Sequence, residues 1–287
     1  LKTVVGARRH ASSLGSAIKI SSIPAPHARS ITVLSLDRPK ARNAISKQLL
    51  NELNRVVESL HKEGTSGSTR ALILASKSDD AFCAGADLKE RLTMSPKEVS
   101  EFLAKLRGTL TRLSTLPMPT ISAIGSTAFG GGLELALCTN FRVMASTALV
   151  GLPETRLAII PGAGGTYRLP AIIGQSRARD LILTGRRVSG PEAYFMGLCD
   201  RLVETTEEDL KASGVARGKV LSQAVEKASV ICEGGPVAIQ AALQAVNGWE
   251  QGEMSENAAY DVVVPTQDRT KALKAFGEKR KPVFKGR

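Results

Sequence analysis

Two hydrophobic periods alternate along this chain. Ile31–Leu36 (ITVLSL) is β-branched and alternating, the period of a strand. Ser46–His61 follows with Leu49, Leu50, Leu53, Val56, Val57 and Leu60 on one helical stripe. The polar Gly64–Ser68 stretch reads as a loop, and Ala71–Ala75 as a short buried strand. Ser95-Pro96 marks a helix start with proline at the first position, and an amphipathic helix runs from there to about Leu113. Thr120–Ile124 reads as a strand, Gly130–Thr139 as a helix and Phe141–Ala145 as a strand. This repetition predicts an α/β core over residues 17–205. Beyond it the strand signals fade. Glu208–Ile231, Pro236–Trp249, Glu253–Tyr260 and Asp268–Gly277 read as helices, so residues 206–287 form a helical C-terminal region. The sequence shows no clear internal repeat.

Composition narrows the class. The 287 residues are 43% hydrophobic and 23% charged, which suits a globular chain and excludes global disorder. The longest uncharged stretch, Leu113 to Leu133, carries two prolines and four glycines, wrong for a spanning helix. The net charge of +12 is carried by the ends. Residues 1–36 hold five basic residues and no acid, and residues 269–287 hold eight basic residues and Glu278 alone, so residues 37–268 are neutral. Residues 1–16, basic and free of acids, read as a transit-peptide remnant or a plain tail, and the first of these points to mitochondria. The basic C-terminus suits an anionic ligand, and without aromatic interleaving it is weak support for nucleic acid.

Cys83, Cys138, Cys199 and Cys232 lie far apart with no Cys-x-x-Cys pair, so they read as reduced thiols. His10, His27 and His61 lack metal-ligand spacing and read as surface residues. Acid–base chemistry in this chain therefore falls to carboxylates. Here a shortage is informative. Between Phe102 and Arg179 only Glu134 and Glu154 are acidic, where the chain average of 27 in 287 would place about seven. Both sit among apolar residues and glycines, where lost hydration raises a carboxylate's pKa toward the useful range. The plainer alternatives are a first-turn glutamate favoured by the helix dipole for Glu134 and a surface loop acid for Glu154. Gly130-Gly131-Gly132 opens a helix, and Phe82–Asp87 forms a second small-residue turn; backbone N–H groups from two such turns can build an oxyanion hole. No P-loop is present, Gly162-Ala163-Gly164-Gly165 is only a partial dinucleotide pattern, and no G-x-S-x-G exists.

Five segments together carry a resemblance: RPKARNAIS (38–46), FCAGADLKE (82–90), AFGGGLELAL (128–137), GLPETRLAIIPGAGGTYRLP (151–170) and QDRTKALKAFGEKRKPVFKGR (267–287). In this order, over roughly residues 30–287, the chain resembles the enoyl-CoA hydratase/isomerase (crotonase) superfamily. It is most similar to the branch that hydrates methylglutaconyl-CoA in leucine catabolism and is associated with AU-rich RNA. The resemblance implies a spiral of ββα units followed by helices that build trimers, or dimers of trimers. It implies an oxyanion hole from the Ala86 and Gly131 N–H groups, with Glu134 and Glu154 as the catalytic carboxylates. It places Arg38, Lys40, Ala41, Ala84, Asp87, Leu88, Lys89, Gly162, Phe276 and Lys279 at the acyl-CoA site. No metal or further cofactor is implied, CoA being part of the substrate.

Three readings follow from the resemblance: hydration of a 2-enoyl-CoA, Δ3-Δ2 enoyl-CoA isomerisation, and RNA binding on the same scaffold. Retention of both carboxylates favours hydration. Ser46–Lys62, which matches the lysine-rich helix of the RNA-associated branch, has only Lys47, Arg55 and Lys62 against Glu52 and Glu58. Tyr167 and Gly125-Ser126 depart from the family pattern. Arg91 is a candidate cation for a distal substrate carboxylate, with a solvated helix-surface arginine as the plainer alternative. Arg156 is a second candidate.

Overall fold

A computed structural model describes residues 15–64 and 67–287. Of the basic tail 1–16, all but Gly15 and Ser16 lies outside the described residues. Strands β1 (Ile18–Pro24) and β2 (Ser30–Leu36) form an antiparallel pair. Helix α1 (Lys47–Glu63) follows, with Ser46 as its N-cap accepting from the Leu49 N–H. The predicted stripe is its buried face, with Leu49, Leu50, Leu53, Val57 and Leu60 inside.

From β3 (Thr69–Ser76) onward one strand–strand–helix unit recurs three times. The first comprises β3, β4 (Ala81–Cys83), a short helix α2 (Leu88–Leu92) and α3 (Pro96–Ser114), which opens on a Ser95/Glu98 capping box. The second is β5 (Thr120–Ile124), β6 (Thr127–Phe129) and α4 (Gly131–Ala136). The third is β7 (Phe141–Ala145), β8 (Leu149–Gly151) and α5 (Gly165–Ile173). Then come α6 (Gln175–Thr184), β9 (Val188–Ser189), α7 (Gly190–Phe195) and β10 (Arg201–Val203).

The first strands of the three units join a six-stranded sheet in the order β1-β2-β3-β5-β7-β10. The second strands join a smaller sheet, β4-β6-β8-β9, in which β4, β6 and β8 run parallel. Parallel pairing requires a crossover between neighbours, and the helices supply it. The repeat is therefore structural. It escapes the sequence because its crossovers differ in length and its second strands have three residues each. A strand buried on both faces shows as an apolar run, as in β3, and not as an alternation.

The C-terminal helices are α8 (Glu207–Lys211), α9 (Val215–Cys232), α10 (Pro236–Asn247), α11 (Glu253–Val263) and α12 (Gln267–Gly277). The single helix expected over Glu208–Ile231 is broken at Ser213-Gly214, where the Gly214 N–H donates to Asp79 (3.0 Å) and Arg217 pairs with the same carboxylate (2.7 Å). Helix α9 lies on the large sheet, burying Val220, Ala224 and Ala228 in the main core. It thus shares the core of the preceding residues, and α10 to α12 extend beyond it. Buried Asp268 accepts from the Lys285 and Gly286 N–H groups and pins the last residues. Among the described residues no helix is long and apolar enough to cross a membrane.

The described histidines are not surface groups. Both are half-buried: His27 packs edge-on against Phe284 (5.1 Å), and His61 is hydrogen-bonded to the Arg112 carbonyl (2.6 Å). Each tethers two elements, which a sequence without tertiary contacts does not reveal.

Candidate active site

Because β4, β6 and β8 are parallel neighbours, their C-terminal ends open at one edge of the small sheet. Each end delivers one part of a site. Ala84–Asp87 follows β4. Gly130, Gly131 and helix α4 follow β6. Leu152–Glu154 follows β8.

The first two parts meet through glycine. Gly85 has φ of +97°, and a Cβ there would stand 2.8 Å from the Phe129 carbonyl oxygen. A Cβ on Gly131 would stand 3.7 Å from the Ala86 nitrogen, so the Ala86 and Gly131 N–H groups are close neighbours. Neither is consumed by the scaffold. The bridge between Ile45 and Ala86 uses the Ile45 and Asp87 N–H groups (2.7 and 3.2 Å). Gly131 is the first residue of α4, where an N–H has no intrahelical acceptor.

Glu134, in the first turn of α4, is 2% exposed. Its Oε1 accepts from the Ala163 N–H (2.7 Å) and the Gly165 N–H (2.8 Å). Burial raises its pKa, while those two hydrogen bonds and the charges of Arg168 and Arg107 pull it back. The dipole explanation is thus insufficient: this is a buried carboxylate held by a loop of the next unit along the chain. Glu154 opens a 3-10 turn, Glu154–Leu157, and is 9% exposed, so it is not a surface loop acid. Burial pushes its pKa up to about 7; its own backbone N–H opposes this, and nearby Glu134 adds to it. Glu154 Oε2 is buried without a hydrogen-bond partner, while Oε1 faces Gly130, where a Cβ would stand only 3.1 Å away. Two buried carboxylates, both with raised pKa, and two free N–H groups converge, an arrangement suited to proton transfer beside a developing oxyanion.

A cavity of about 720 Å³ connects them. Ala84, Ala86, Leu88, Gly131, Glu134, Glu154 and Gly162 reach its wall, with Leu103 and Leu106 of α3 opposite. The other expected binding residues lie elsewhere. Arg38 is turned to Asp87 (3.1 Å) and the Ala44 carbonyl, so it holds the turn from behind. Asp87 N-caps α2, accepting from the Glu90 N–H. Lys40 and Ala41 sit in the 3-10 turn Pro39–Ala41, and Lys89 lies on α2; none of the three is in the cavity wall. Phe276, 85% exposed on α12, borders a second cavity of about 480 Å³ between the C-terminal helices and the end of the chain, and Lys279 lies three residues on.

Sequence reasoning missed the Ala163 and Gly165 N–H groups. Their signal was present in the partial dinucleotide pattern Gly162–Gly165, whose Ala163 and Gly165 N–H groups serve Glu134 instead. Arg156 is exposed, with its Nε donating to the Thr184 carbonyl (2.8 Å). Arg91, by contrast, lines the cavity with one guanidinium nitrogen fully buried. Cys83 is buried at the start of the Ala84–Asp87 turn, and burial pushes its thiol up to about 12, as expected for a core filler. Among the described residues no group of three His, Cys, Asp or Glu could hold a metal ion.

Comparison with known proteins bears on this geometry. A sequence model of the family described as enoyl-CoA hydratase/isomerase matches residues 27–287. The chain is 70% identical over its whole length to an enoyl-CoA isomerase/hydratase of Zymoseptoria tritici, covering 94% of that protein. It is 53% identical to methylglutaconyl-CoA hydratase 1, mitochondrial, of Pyricularia oryzae, covering 94% of this chain and 87% of the other. The crystal structure of enoyl-CoA hydratase from Bacillus anthracis superposes with a TM-score of 0.84 at 39% identity, covering 94% of this chain and all of that one.

Proposed function

The chain belongs to the enoyl-CoA hydratase/isomerase family, and on that premise we propose that it adds water across the C2–C3 double bond of a 2-enoyl-CoA thioester. The observation that carries this reading is the pair of buried glutamates beside the Ala86 and Gly131 N–H groups. Hydration puts hydroxide on C3 and a proton on C2, and negative charge develops on the thioester oxygen between these events. The two N–H groups stabilise that charge; one such donor typically contributes roughly 10²–10³ in rate. Glu134, whose Oε1 is fixed by two N–H donors, keeps Oε2 for orienting and deprotonating the water. Glu154, with its raised pKa, is the proton donor to C2. No metal or further cofactor enters these steps.

The relative from Pyricularia makes 3-methylglutaconyl-CoA the first substrate to try. We expect the enoyl-thioester absorbance of that compound and of crotonyl-CoA to fall when the protein is added. A folded protein that binds CoA thioesters yet hydrates neither would overturn the reading. The pH profile provides a second check. Hydration requires Glu134 ionised and Glu154 protonated. Activity should therefore decline as pH rises through about 7, where Glu154 loses its proton, and decline again in acid as Glu134 gains one. A kcat/KM that stays flat from pH 6 to 9 would remove Glu154 from the donor role.

Isomerisation is the second reading, favoured by the paired name of the 70% relative. It requires one carboxylate to shuttle a proton between C4 and C2. A Δ3-enoyl-CoA that still converts when Glu134 is replaced by Gln would support it.

Exposed apolar residues on and beside the last helices, Trp249, Met254, Tyr260 and Phe276, support assembly into trimers. In such an assembly Phe276 and Lys279 would meet the CoA of a neighbouring copy, since within one chain they lie away from the cavity. The mitochondrial relative and the acid-free basic N-terminal stretch support the mitochondrial matrix as the compartment.

A further inference from the structure

Arg91 is an anomaly in this cavity. A guanidinium stays charged at any physiological pH, and a charge withdrawn from water is costly unless paired. Arg91 Nη1 is buried and has no acceptor. Burial alone accounts for the downward shift of its pKa, with no acid offsetting it. The acids on and near its helix are committed elsewhere: Glu90 accepts from the Lys47 N–H (2.8 Å), Glu98 from the Ser95 N–H (2.9 Å) and the Lys47 Nζ (3.2 Å), and Asp87 pairs with Arg38. The other arginine in the wall, Arg107, donates its Nε–H to the Gly162 carbonyl (2.7 Å). Among the described residues the one contact of the Arg91 guanidinium is the face of Phe102, 5.3 Å from its carbon.

We propose that Arg91 is a specificity-determining residue, whose free N–H donors receive a carboxylate carried at the far end of the acyl chain. The inference rests on the hydratase reading for the thioester and extends it to the acyl group. Arg91 stands five residues beyond Ala86 on the same segment, so a thioester held at the Ala86 N–H extends its acyl chain along a wall that includes it. The neighbouring wall from α3 is apolar at Val99, Leu103 and Leu106, with Arg107 following them on the same helix. A CoA phosphate is the alternative anion of matching chemistry. The two ligands compared below share the CoA portion and differ only in the distal carboxylate, so they separate the two sources. An arginine–carboxylate pair is planar and two-pronged, so it fixes position as well as charge.

The test compares two unreactive thioesters that differ only in the distal carboxylate, 3-methylglutaryl-CoA and isovaleryl-CoA. Their inhibition constants against hydration, and their dissociation constants by calorimetry, are measured for wild type, Arg91→Met and Arg91→Lys. Methionine keeps the packing against Phe102 and removes the charge. The wild type is expected to prefer 3-methylglutaryl-CoA, and Arg91→Met to reduce that preference by about 10- to 100-fold, with Arg91→Lys in between. An unchanged preference overturns the proposal. So does an equal weakening of both ligands, which would place Arg91 on the CoA portion. If the calorimetric preference shifts as expected but the wild type hydrates no enoyl-CoA, the hydratase reading fails and the carboxylate site stands.

Discussion

Replacing Glu134 by Gln is expected to lower kcat for hydration by roughly 10²–10⁴, with KM changed far less. The substitution is conservative in shape. A glutamine Oε1 can still accept from the Ala163 and Gly165 N–H groups, so the loop stays anchored and the cavity keeps its outline. What disappears is the ability to take a proton from water. Glu154→Gln is expected to cost a similar factor for the opposite reason, because an amide has no acidic proton to give. The double substitution should cost little more than either single one, since groups that act as one unit lose their function together. Steady-state rates on crotonyl-CoA, with CD spectra matched to the wild type, decide the matter. A drop of less than tenfold in both single variants would show that proton transfer does not pass through these carboxylates.

The second large effect concerns a residue that touches no substrate. At Gly132, helix α4 passes so close to β4 that an added Cβ would lie 2.1 Å from the Cys83 carbonyl oxygen and 2.7 Å from its carbon. Backbone cannot swing aside as a side-chain end can. Gly132→Ala must therefore push α4 back from β4, at a cost of about 1–3 kcal/mol for overpacking. The same shift carries Gly131 and Glu134 away from Ala86, and a displacement near 1 Å can cost about 10²-fold in rate. We expect a lower Tm together with a drop in kcat of at least that order. Gly218→Ala is the control. Gly218 lies within α9 with open space where a Cβ would go, so there alanine should stabilise by about 0.5–1 kcal/mol and leave the rate alone. Equal thermal stability of Gly132→Ala and wild type would contradict the close packing described here.

Much of this was legible in the sequence, for physical reasons that differ from residue to residue. Strands β5 and β7 were readable to their ends because both faces are buried and turn residues bound them. Helix α3 was announced by its serine cap and proline. The two glutamates stood out because acids are otherwise absent from that part of the chain. The small sheet was not legible. Three residues are too few to show a period, so Ala81–Cys83, Thr127–Phe129 and Leu149–Gly151 disappear into their neighbours. Strand β1 was missed because its Lys19, Ser21 and Ser22 dilute the apolar signal. The anchoring of Glu134 by a loop 29 and 31 residues away, and the isolation of Arg91, depend on contacts that no local pattern encodes.

The shortness of the small sheet has a kinetic consequence. Ala81 pairs with Thr127 and Ala128 with Val150, so each pairing closes a long loop before it returns any energy, and each returns little. The large sheet has longer strands and an antiparallel hairpin at one edge from which to begin. A chain that has formed the large sheet and its helices but not the three strand ends is compact and helical yet chemically inert. Catalytic competence thus reports the last crossovers to close, and should return more slowly than helical CD signal when the denatured protein is refolded.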